Sequence, residues 1–303
     1  MCHLVGASRA SYYRHWEAAA PDEAEMAARA AIQKVVLAHH RRYGYRRVTV
    51  DLHRQGMAVN HKRVLRIMGE DNLLAIRYRK YVLTSDSRHE CEVYLNLAAR
   101  MTLTGVNQLW VADITYIRLR VEFVFLAVVI DRFSRKAVGW ALDRTLTARV
   151  AIGALRQAVS ERKPPPGVIH HSDQGVQYAC ADYVAELKSN GMVPSMSRPA
   201  NPYDNAFCES FMKTLKQEEI YCNEYGDFQE LSEHIEEFIG KYYNRERMHS
   251  ALGYRSPEAF ERDTAAVSAP GGIPDAATMQ CFTKPPQSGE VEKAAGFHTG
   301  GAE

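Results

Sequence analysis

One apolar run gives the clearest indication of the fold: Phe123-Val124-Phe125-Leu126-Ala127-Val128-Val129-Ile130. A continuous apolar run with several β-branched residues is typical of a central strand that is buried on both faces of a sheet. Asp131 ends the run, residues 113–118 before it are also strand-like, and residues 134–142 and 167–171 predict two further strands. The sequence therefore predicts a sheet built around the run that begins at Phe123.

Three acidic residues stand in distinctive local settings around these strands. They are Asp113 in Trp110-Val111-Ala112-Asp113-Ile114-Thr115-Tyr116, Asp173 in His170-His171-Ser172-Asp173-Gln174-Gly175, and Glu209 in Asn201-Pro202-Tyr203-Asp204-Asn205-Ala206-Phe207-Cys208-Glu209-Ser210. Asp113 opens its predicted strand, Asp173 lies just past the end of another, and Glu209 falls in a helix predicted over residues 203–219 with Asp204 as N-cap. Carboxylates brought together without cysteine ligands suit hard cations such as Mg²⁺. Two such ions about 4 Å apart can support the cutting and joining of nucleic acid strands.

The predicted helix that carries Glu209 has a polar face of defined composition. Asn205, Lys213 and Lys216 lie at helical spacing from Glu209, so the four side chains share that face. The carboxylate would hold a metal ion while the two lysines meet DNA phosphates. The alternative is a solvated helix face with ordinary ion pairing.

Four motifs in a fixed order make the chain similar to a known family. They read Trp110-x-x-Asp113-Ile114-Thr115-Tyr116, His171-Ser172-Asp173-Gln174-Gly175-x-Gln177-Tyr178, Asn201-Pro202-x-Asp204-Asn205-Ala206-x-x-Glu209, and Tyr243-Asn244-x-x-Arg247-x-His249-x-x-Leu252-Gly253-Tyr254-x-Ser256-Pro257. Over residues 8–262 the chain resembles the insertion-sequence transposases whose downstream reading frame encodes an integrase-like catalytic core. Ala200 and Cys180 depart from the usual pattern, and neither position supplies a metal ligand.

The resemblance implies a fold, a catalytic site and a set of partners. The fold class is α/β: a ribonuclease H-like core, with a mixed sheet flanked by helices. The catalytic and metal-binding triad maps onto Asp113, Asp173 and Glu209, and Lys216 matches the family's basic residue two turns later. Two Mg²⁺ ions are implied, with Mn²⁺ as a possible substitute. The implied partners are double-stranded DNA (element ends and target), further copies of the chain in a homo-oligomer on that DNA, and an upstream-frame DNA-binding protein or a fusion to it.

A basic region before the core predicts a small all-α helix-turn-helix domain. Residues 41–80 contain 11 Lys or Arg against 3 Asp or Glu, which favours a polyanionic partner. The pattern predicts a helix over residues 25–40 with Ala28, Ile32, Val35 and Val36 inward, a short helix with Val48 and Leu52, and a third helix over residues 61–70 with Val64, Leu65 and Met68 inward. This leaves four side chains of the third helix available to DNA: His61, Lys62, Arg63 and Arg66. The alternative is a structural three-helix subdomain that does not touch DNA.

These patterns divide the chain into five parts. We expect a helix-turn-helix remnant at residues 1–20, the helix-turn-helix domain at 21–83, a linker at 84–108, the catalytic core at 109–262 and a disordered tail at 263–303. A stripe in the last part of the core indicates either core packing or an oligomer interface: Phe228, Leu231, Ile235, Phe238 and Tyr242.

Other features limit the possible functions. The six cysteines include no C-x-x-C pair, which argues against a zinc site, and no signal peptide or membrane-spanning run is present. A bacterial cytoplasmic, nucleoid-associated location fits. His170 and His171 lie near the predicted metal site, where a structural role is favoured over ligation. Arg247 and His249 either touch DNA or pack in the protein.

The expected reaction has two stages. Metal-dependent hydrolysis at an element end releases a 3′-hydroxyl, and that hydroxyl then attacks target DNA by direct transesterification. No ATP-binding G-x-x-x-x-G-K loop appears in the sequence. Two alternatives remain open: a catalytically silent DNA-binding regulator, and a ribonuclease H-like nuclease that cuts without joining.

Overall fold

The N-terminal part of the protein is a unit of three helices. The computed structural model describes residues 23–75, 92–120, 122–198 and 205–268. The unit comprises α1 (Glu23–Ala38), α2 (Tyr45–Arg54) and α3 (His61–Glu70). The predicted inward residues of α1 and α2 are buried, which confirms their place in the core: Ala28, Ile32, Val35, Val36, Val48 and Leu52. The side chain of Asn60 caps α3 by accepting a hydrogen bond from the Lys62 amide at 2.8 Å.

The inward face of α3 differs from the prediction at one position. Val64, Ile67 and Met68 are buried, whereas Leu65 is 43% exposed. Residues three and four apart share a helix face, but adjacent residues are turned by about 100°. The expectation that Leu65 packs inward was therefore wrong, and Ile67 fills that place.

The catalytic part is built on a five-stranded mixed sheet. Its strands are β1 (Leu109–Arg118), β2 (Phe123–Asp131), β3 (Ala137–Asp143), β4 (Ile169–Ser172) and β5 (Val193–Met196). The spatial order is β3-β2-β1-β4-β5, in which β1, β2 and β3 are antiparallel neighbours while β4 runs parallel to β1 and to β5. We had expected Asp113 to open its strand, and this was wrong. Because β1 begins at Leu109, Asp113 lies in the middle of the strand.

Helices cover both faces of the sheet. They are α4 (Ala148–Arg162), α5 (Val176–Ala179), α6 (Ala181–Ser189), α7 (Ala206–Leu215), α8 (Phe228–Glu236) and α9 (Pro257–Ser268). Trp110 and Ala112 of β1 join the cluster beneath α4, whereas Leu109 and Val111 join the cluster that contains α7 and α8. This alternation follows from the two-residue period of a strand. The predicted α/β, ribonuclease H-like arrangement of a mixed sheet flanked by helices is confirmed.

A close contact between α4 and β3 depends on a glycine. A Cβ atom at Gly139 would lie 2.2 Å from the carbonyl oxygen of Ala154 and 2.7 Å from the amide nitrogen of Ala158. No side chain fits that gap, so the missing Cβ is what lets α4 rest directly on the strand.

Two helices continue in a wider π-helical form. Residues Lys216–Ile220 extend α7, and residues Glu237–Glu246 extend α8. Four members of the predicted apolar stripe are fully or almost fully buried in the core: Leu231, Ile235, Phe238 and Tyr242. The stripe is therefore a core-packing face.

The predicted boundaries can be compared with the structure only in part. Helix α9 continues to Ser268, six residues into the predicted tail. Within the predicted linker, Ala98 is buried and the Leu97 amide donates to Ser195 Oγ at 2.9 Å, so this part contacts the core. The predicted remnant at residues 1–20, the linker portion 84–91 and the tail from 269 onward lie outside the described residues.

Candidate active site

Two of the predicted acidic residues occupy matching positions on neighbouring parallel strands. Val111 of β1 pairs with His171 of β4, and Asp113 and Asp173 each follow two residues later. Adjacent strands lie about 4.8 Å apart, so the two carboxylates emerge side by side where β4 ends. Each is oriented by a backbone amide: Ile114 N–H donates to Asp113 at 2.9 Å, and Gly175 N–H donates to Asp173 at 3.0 Å.

The third acidic residue comes from a helix. Glu209 is exposed in the first turn of α7, and this helix packs against β1. The helix begins at Ala206 with Asn205 as N-cap, three residues later than predicted, and Asn205 makes no side-chain capping bond. The predicted N-cap Asp204 lies outside the described residues.

The three carboxylates share one electrostatic environment. Burial, together with the negative charges of Asp173 and Glu209, raises the pKa of Asp113 to about 8, whereas the Ile114 amide and the charge of Lys216 oppose the rise. Burial also raises the pKa of the Cys208 thiol, again with contributions from the same three carboxylates. Charges act on one another in this way only over short distances in a protein. The fold thus places Asp173 and Glu209 within electrostatic reach of Asp113, beside the carboxyl end of β4.

The donor set suits a hard divalent cation. All three side chains supply carboxylate oxygens, the ligands that Mg²⁺ prefers. A cation there would offset the repulsion that disfavours ionised Asp113. In the described parts of the chain, no three His, Cys, Asp or Glu side chains stand close enough together to enclose a metal ion.

The neighbouring histidines have structural roles. His170 is buried and lies 3.0 Å from the Tyr183 hydroxyl through Nε2, and burial lowers its pKa to about 3. His171 is held between Ser195 Oγ at 2.9 Å and Ser197 Oγ at 3.2 Å. Both histidines therefore form hydrogen bonds inside the protein, in agreement with the structural role that the sequence favoured.

The polar residues around Glu209 differ in their surroundings. The Lys216 ammonium lies 4.9 Å from the centre of the Tyr116 ring, and burial lowers the pKa of this lysine. Lys213 is exposed, whereas Asn205 is buried and its Oδ1 has no hydrogen-bond partner among the residues that the structure describes. Lys216 is therefore the lysine whose charge acts on Asp113, and Lys213 faces solvent.

On α3, two of the four predicted DNA contacts are engaged within the protein. His61 and Lys62 are exposed. Arg63 pairs with Glu25 at 2.9 Å, and Arg66 pairs with Glu25 at 3.0 Å and with Glu70 at 2.8 Å. Only His61 and Lys62 are therefore available to DNA without rearrangement, whereas we had predicted this for all four side chains. The sequence did not reveal that α1 places the Glu25 carboxylate beside both arginines.

The closing motif packs inside the protein. Arg247 and His249 are each 5% exposed. Arg247 holds Glu218 through two bonds, of 2.8 Å from Nε and 2.7 Å from Nη2. Burial lowers the pKa of His249 to about 2, with the charge of Arg247 adding to the effect. Of the two alternatives for these residues, packing is the one observed. Sequence reasoning missed Glu218, whose only signal was its position two residues after Lys216.

Among the residues with a described structure, no helix combines the length and the apolar character that crossing a membrane requires.

Comparisons with known proteins agree with this architecture. Two models of an integrase core domain match residues 104–202 and 190–257, and a model of an HTH-like domain matches residues 22–81. An insertion element IS600 protein of 31 kDa from Shigella sonnei is 36% identical, over 86% of this chain and 97% of its own length. The transposase for insertion sequence element IS904 of Lactococcus lactis is 38% identical, over 76% of this chain and 92% of its own. The HTLV-2 integrase catalytic core domain, solved in complex with magnesium, is 16% identical over 52% of this chain and 97% of its own, with a TM-score of 0.40.

Proposed function

Because the chain belongs to the insertion-sequence transposases that carry an integrase core, we propose that it cuts DNA at the ends of its element and joins those ends to target DNA. This family membership makes the chain a polynucleotidyl transferase with an HTH-like unit for DNA binding. The finer assignment of residues to roles is our proposal.

The convergence of Asp113, Asp173 and Glu209 carries this proposal. The negative charges of Asp173 and Glu209, both remote from Asp113 along the chain, act on Asp113 beside the carboxyl end of β4, where burial already makes ionisation of Asp113 costly. Asp113 and Asp173 would hold one Mg²⁺ ion, and Asp113 and Glu209 a second, with Mn²⁺ as a substitute. Such ions supply Lewis-acid stabilisation of the attacking and leaving oxygens of an in-line displacement.

The other residues of the site bind and orient the DNA. Lys216, beside Asp113, would place the phosphate to be attacked, while the exposed Lys213 would meet a phosphate further along the strand. Hydrolysis at the element end releases a 3′-hydroxyl, which attacks a target phosphodiester. One phosphorus–oxygen bond forms as another breaks, so strand transfer needs neither ATP nor a covalent protein–DNA intermediate.

The three-helix unit would recognise the element ends. With α3 in the major groove, His61 and Lys62 can reach DNA directly, whereas Arg63 must first exchange Glu25 for a phosphate and Arg66 must exchange Glu25 and Glu70. Because two element ends are joined, the proposal includes a homo-oligomer on DNA, in which each copy would act on one end. It also includes the upstream-frame DNA-binding product, supplied separately or as a fusion.

Substitution of the third acidic residue tests the proposal. Glu209→Gln keeps the size of the side chain but removes its charge, so it should abolish cleavage of a labelled element end in Mg²⁺ while leaving end binding within about twofold. Glu224→Gln is the matched control, because Glu224 is an exposed carboxylate paired only with Arg120 among the ion pairs of the described residues. Unchanged cleavage by Glu209→Gln would remove Glu209 from the mechanism.

The same assay separates the rival functions. Joining of the labelled end to a target duplex distinguishes a transposase from a nuclease that only cuts. Binding without cleavage by the wild-type chain, with the upstream-frame product present, would identify a regulator instead.

A further inference from the structure

The π-helical turn behind α7 carries two acidic residues, of which Glu219 is buried and Glu218 is mostly buried. Glu218 and Glu219 lie in this turn, with 11% and 3% of their side chains exposed. The turn begins at Lys216. Buried carboxylates are costly unless charged partners and hydrogen bonds compensate them, so their partners determine where the turn can sit.

The partners of Glu218 come from both parts of the protein. Arg247 of the closing motif holds both of its oxygens, and the Tyr242 hydroxyl donates to Oε2 at 3.2 Å. Arg47 of α2 approaches Oε1 at 3.4 Å. A planar guanidinium that binds a carboxylate through two parallel bonds fixes orientation as well as distance.

Glu219 also has partners from both parts of the protein. Arg42, in the connection between α1 and α2, pairs with Oε2 at 2.6 Å, and His234 and Asn223 contact Oε1 at 3.0 and 2.8 Å. Arg42 also donates through Nε to the Glu218 carbonyl oxygen at 2.8 Å and lies 4.4 Å from the centre of the Tyr242 ring.

These contacts join the three-helix unit to the active-site helix. We define the arginine–glutamate joint as Arg42, Arg47, Arg247, Glu218 and Glu219. Arg47 strengthens it by donating through Nε to the Met248 carbonyl oxygen at 2.9 Å. The unit that would bind element ends is thereby attached to the turn that begins at Lys216.

We propose that the arginine–glutamate joint couples the three-helix unit to catalysis, and that Glu218 is a positioning residue which holds Lys216 beside Asp113. This inference rests on the proposed function and deepens it. Glu218 does not touch the acidic site itself; it fixes the π-helical turn, and through that turn the lysine. A displacement of about 1 Å in a positioning element can cost about 100-fold in rate.

A double-mutant cycle between Glu218 and Lys216 tests the proposal. Single-turnover cleavage is measured on saturating element-end DNA, with the upstream-frame product present, for wild type, Glu218→Gln, Lys216→Gln and the double variant. We expect Glu218→Gln to lower the rate constant at least about tenfold with end binding within about twofold. The double variant should be no slower than Lys216→Gln alone, because a lysine that is absent cannot be misplaced. Glu224→Gln should cleave as wild type does.

A purely structural role gives a different result. If Glu218→Gln only reduced the number of folded molecules, the amplitude of cleavage would fall and the rate constant would stay unchanged. If the losses of the two single variants multiplied in the double variant, Glu218 would act independently of Lys216. Either outcome overturns the proposal. If Glu218→Gln does not fold, Arg47→Gln decides, because it removes the longest contact of Glu218 and the Arg47–Met248 bond but leaves the paired bonds of Arg247 in place. The cleavage rate constant of Arg47→Gln should fall several-fold relative to wild type. The same substitution in the Lys216→Gln background should cause no further fall.

The experiment separates this inference from the proposed function. A wild-type chain that cleaves, together with a cycle whose losses multiply, refutes the joint and leaves the function standing. A wild-type chain that does not cleave under any of these conditions refutes both.

Discussion

The contact between α4 and β3 gives a quantitative prediction for Gly139→Ala. The new Cβ atom would lie 2.2 Å from Ala154 O, 2.7 Å from Ala158 N and 2.8 Å from Ala158 Cβ, whereas real contacts of this kind are essentially never under 3.0 Å. The obstacles are backbone atoms of a helix and a β-carbon, which cannot rotate away. Helix α4 must therefore move from the sheet by about 0.8 Å, the difference between 2.2 and 3.0 Å.

The expected cost follows from that displacement. Overpacking a core by one methyl group costs about 1–3 kcal/mol, and the backbone obstruction here puts Gly139→Ala near about 3 kcal/mol. For a chain of 303 residues, that corresponds to a fall in Tm of about 5 °C. Thermal and denaturant-induced unfolding, followed by circular dichroism, measure both quantities.

Gly69→Ala is the matched control, because Gly69 lies in α3 and a Cβ there would have no neighbour within 4 Å. Relief of the helix penalty of glycine should raise stability by up to about 1 kcal/mol. If Gly139→Ala were as stable as wild type while Gly69→Ala behaved as expected, the close approach of α4 to β3 would be refuted.

Two further predictions concern pH and DNA affinity. The folded protein holds His249 neutral, with a pKa near 2, so below about pH 6.5 only the unfolded chain takes up a proton at this residue. Through this residue, stability should therefore fall by about 1.6 kcal/mol in all as the pH drops from 6.5 to 5, with a slope that approaches about 1.4 kcal/mol per pH unit at the acidic end, and urea titrations should show a shallower fall in His249→Gln. Equal slopes in the two proteins would contradict this. Because Glu25 pairs with Arg63 and shares Arg66 with Glu70, Glu25→Gln should release Arg63 and remove one of the two carboxylates that hold Arg66, tightening DNA binding and steepening its salt dependence, whereas Lys62→Ala should weaken binding and lower the salt slope by about 1. Binding isotherms at several salt concentrations measure both effects, and an unchanged slope in Glu25→Gln would refute the release.

The strands and the acidic residues could be predicted because their signals are local. The composition of the apolar run that begins at Phe123 is sufficient to predict a buried strand. The apolar residues before Asp173 likewise predict a short strand that ends just before this residue. The meeting of Asp113 with Asp173 needs one further fact, the parallel pairing of β1 with β4. The family motifs supplied that fact by implying the fold.

Long-range contacts between charged side chains could not be predicted in this way. Nothing near Arg63 in the sequence indicates that Glu25, on another helix, neutralises it. In the same way, the arginines of residues 41–80 look like a DNA-binding surface, yet Arg42 and Arg47 turn towards the core to meet Glu219 and Glu218. Charge composition reports how many cations a segment has, whereas the tertiary fold decides which of them remain free.

Element boundaries failed for a more local reason. The polar side chain of Asp113 suggested the start of a strand, but the apolar residues from Leu109 onward already form the ladder with β2 and β4. Backbone pairing continues through a polar residue when the neighbouring strands supply hydrogen bonds, so a carboxylate can sit in mid-strand where function requires it.

The arginine–glutamate joint also limits how proteins of this kind can be rebuilt by exchanging modules. A three-helix unit taken from another element, without arginines equivalent to Arg42 and Arg47, would leave Glu218 and Glu219 with fewer partners in a buried setting. Hybrids should assemble well only when the donor module and the recipient's acidic turn are transplanted as a matched pair. The module that recognises the element ends and the catalytic core that acts on them would then have to be exchanged together.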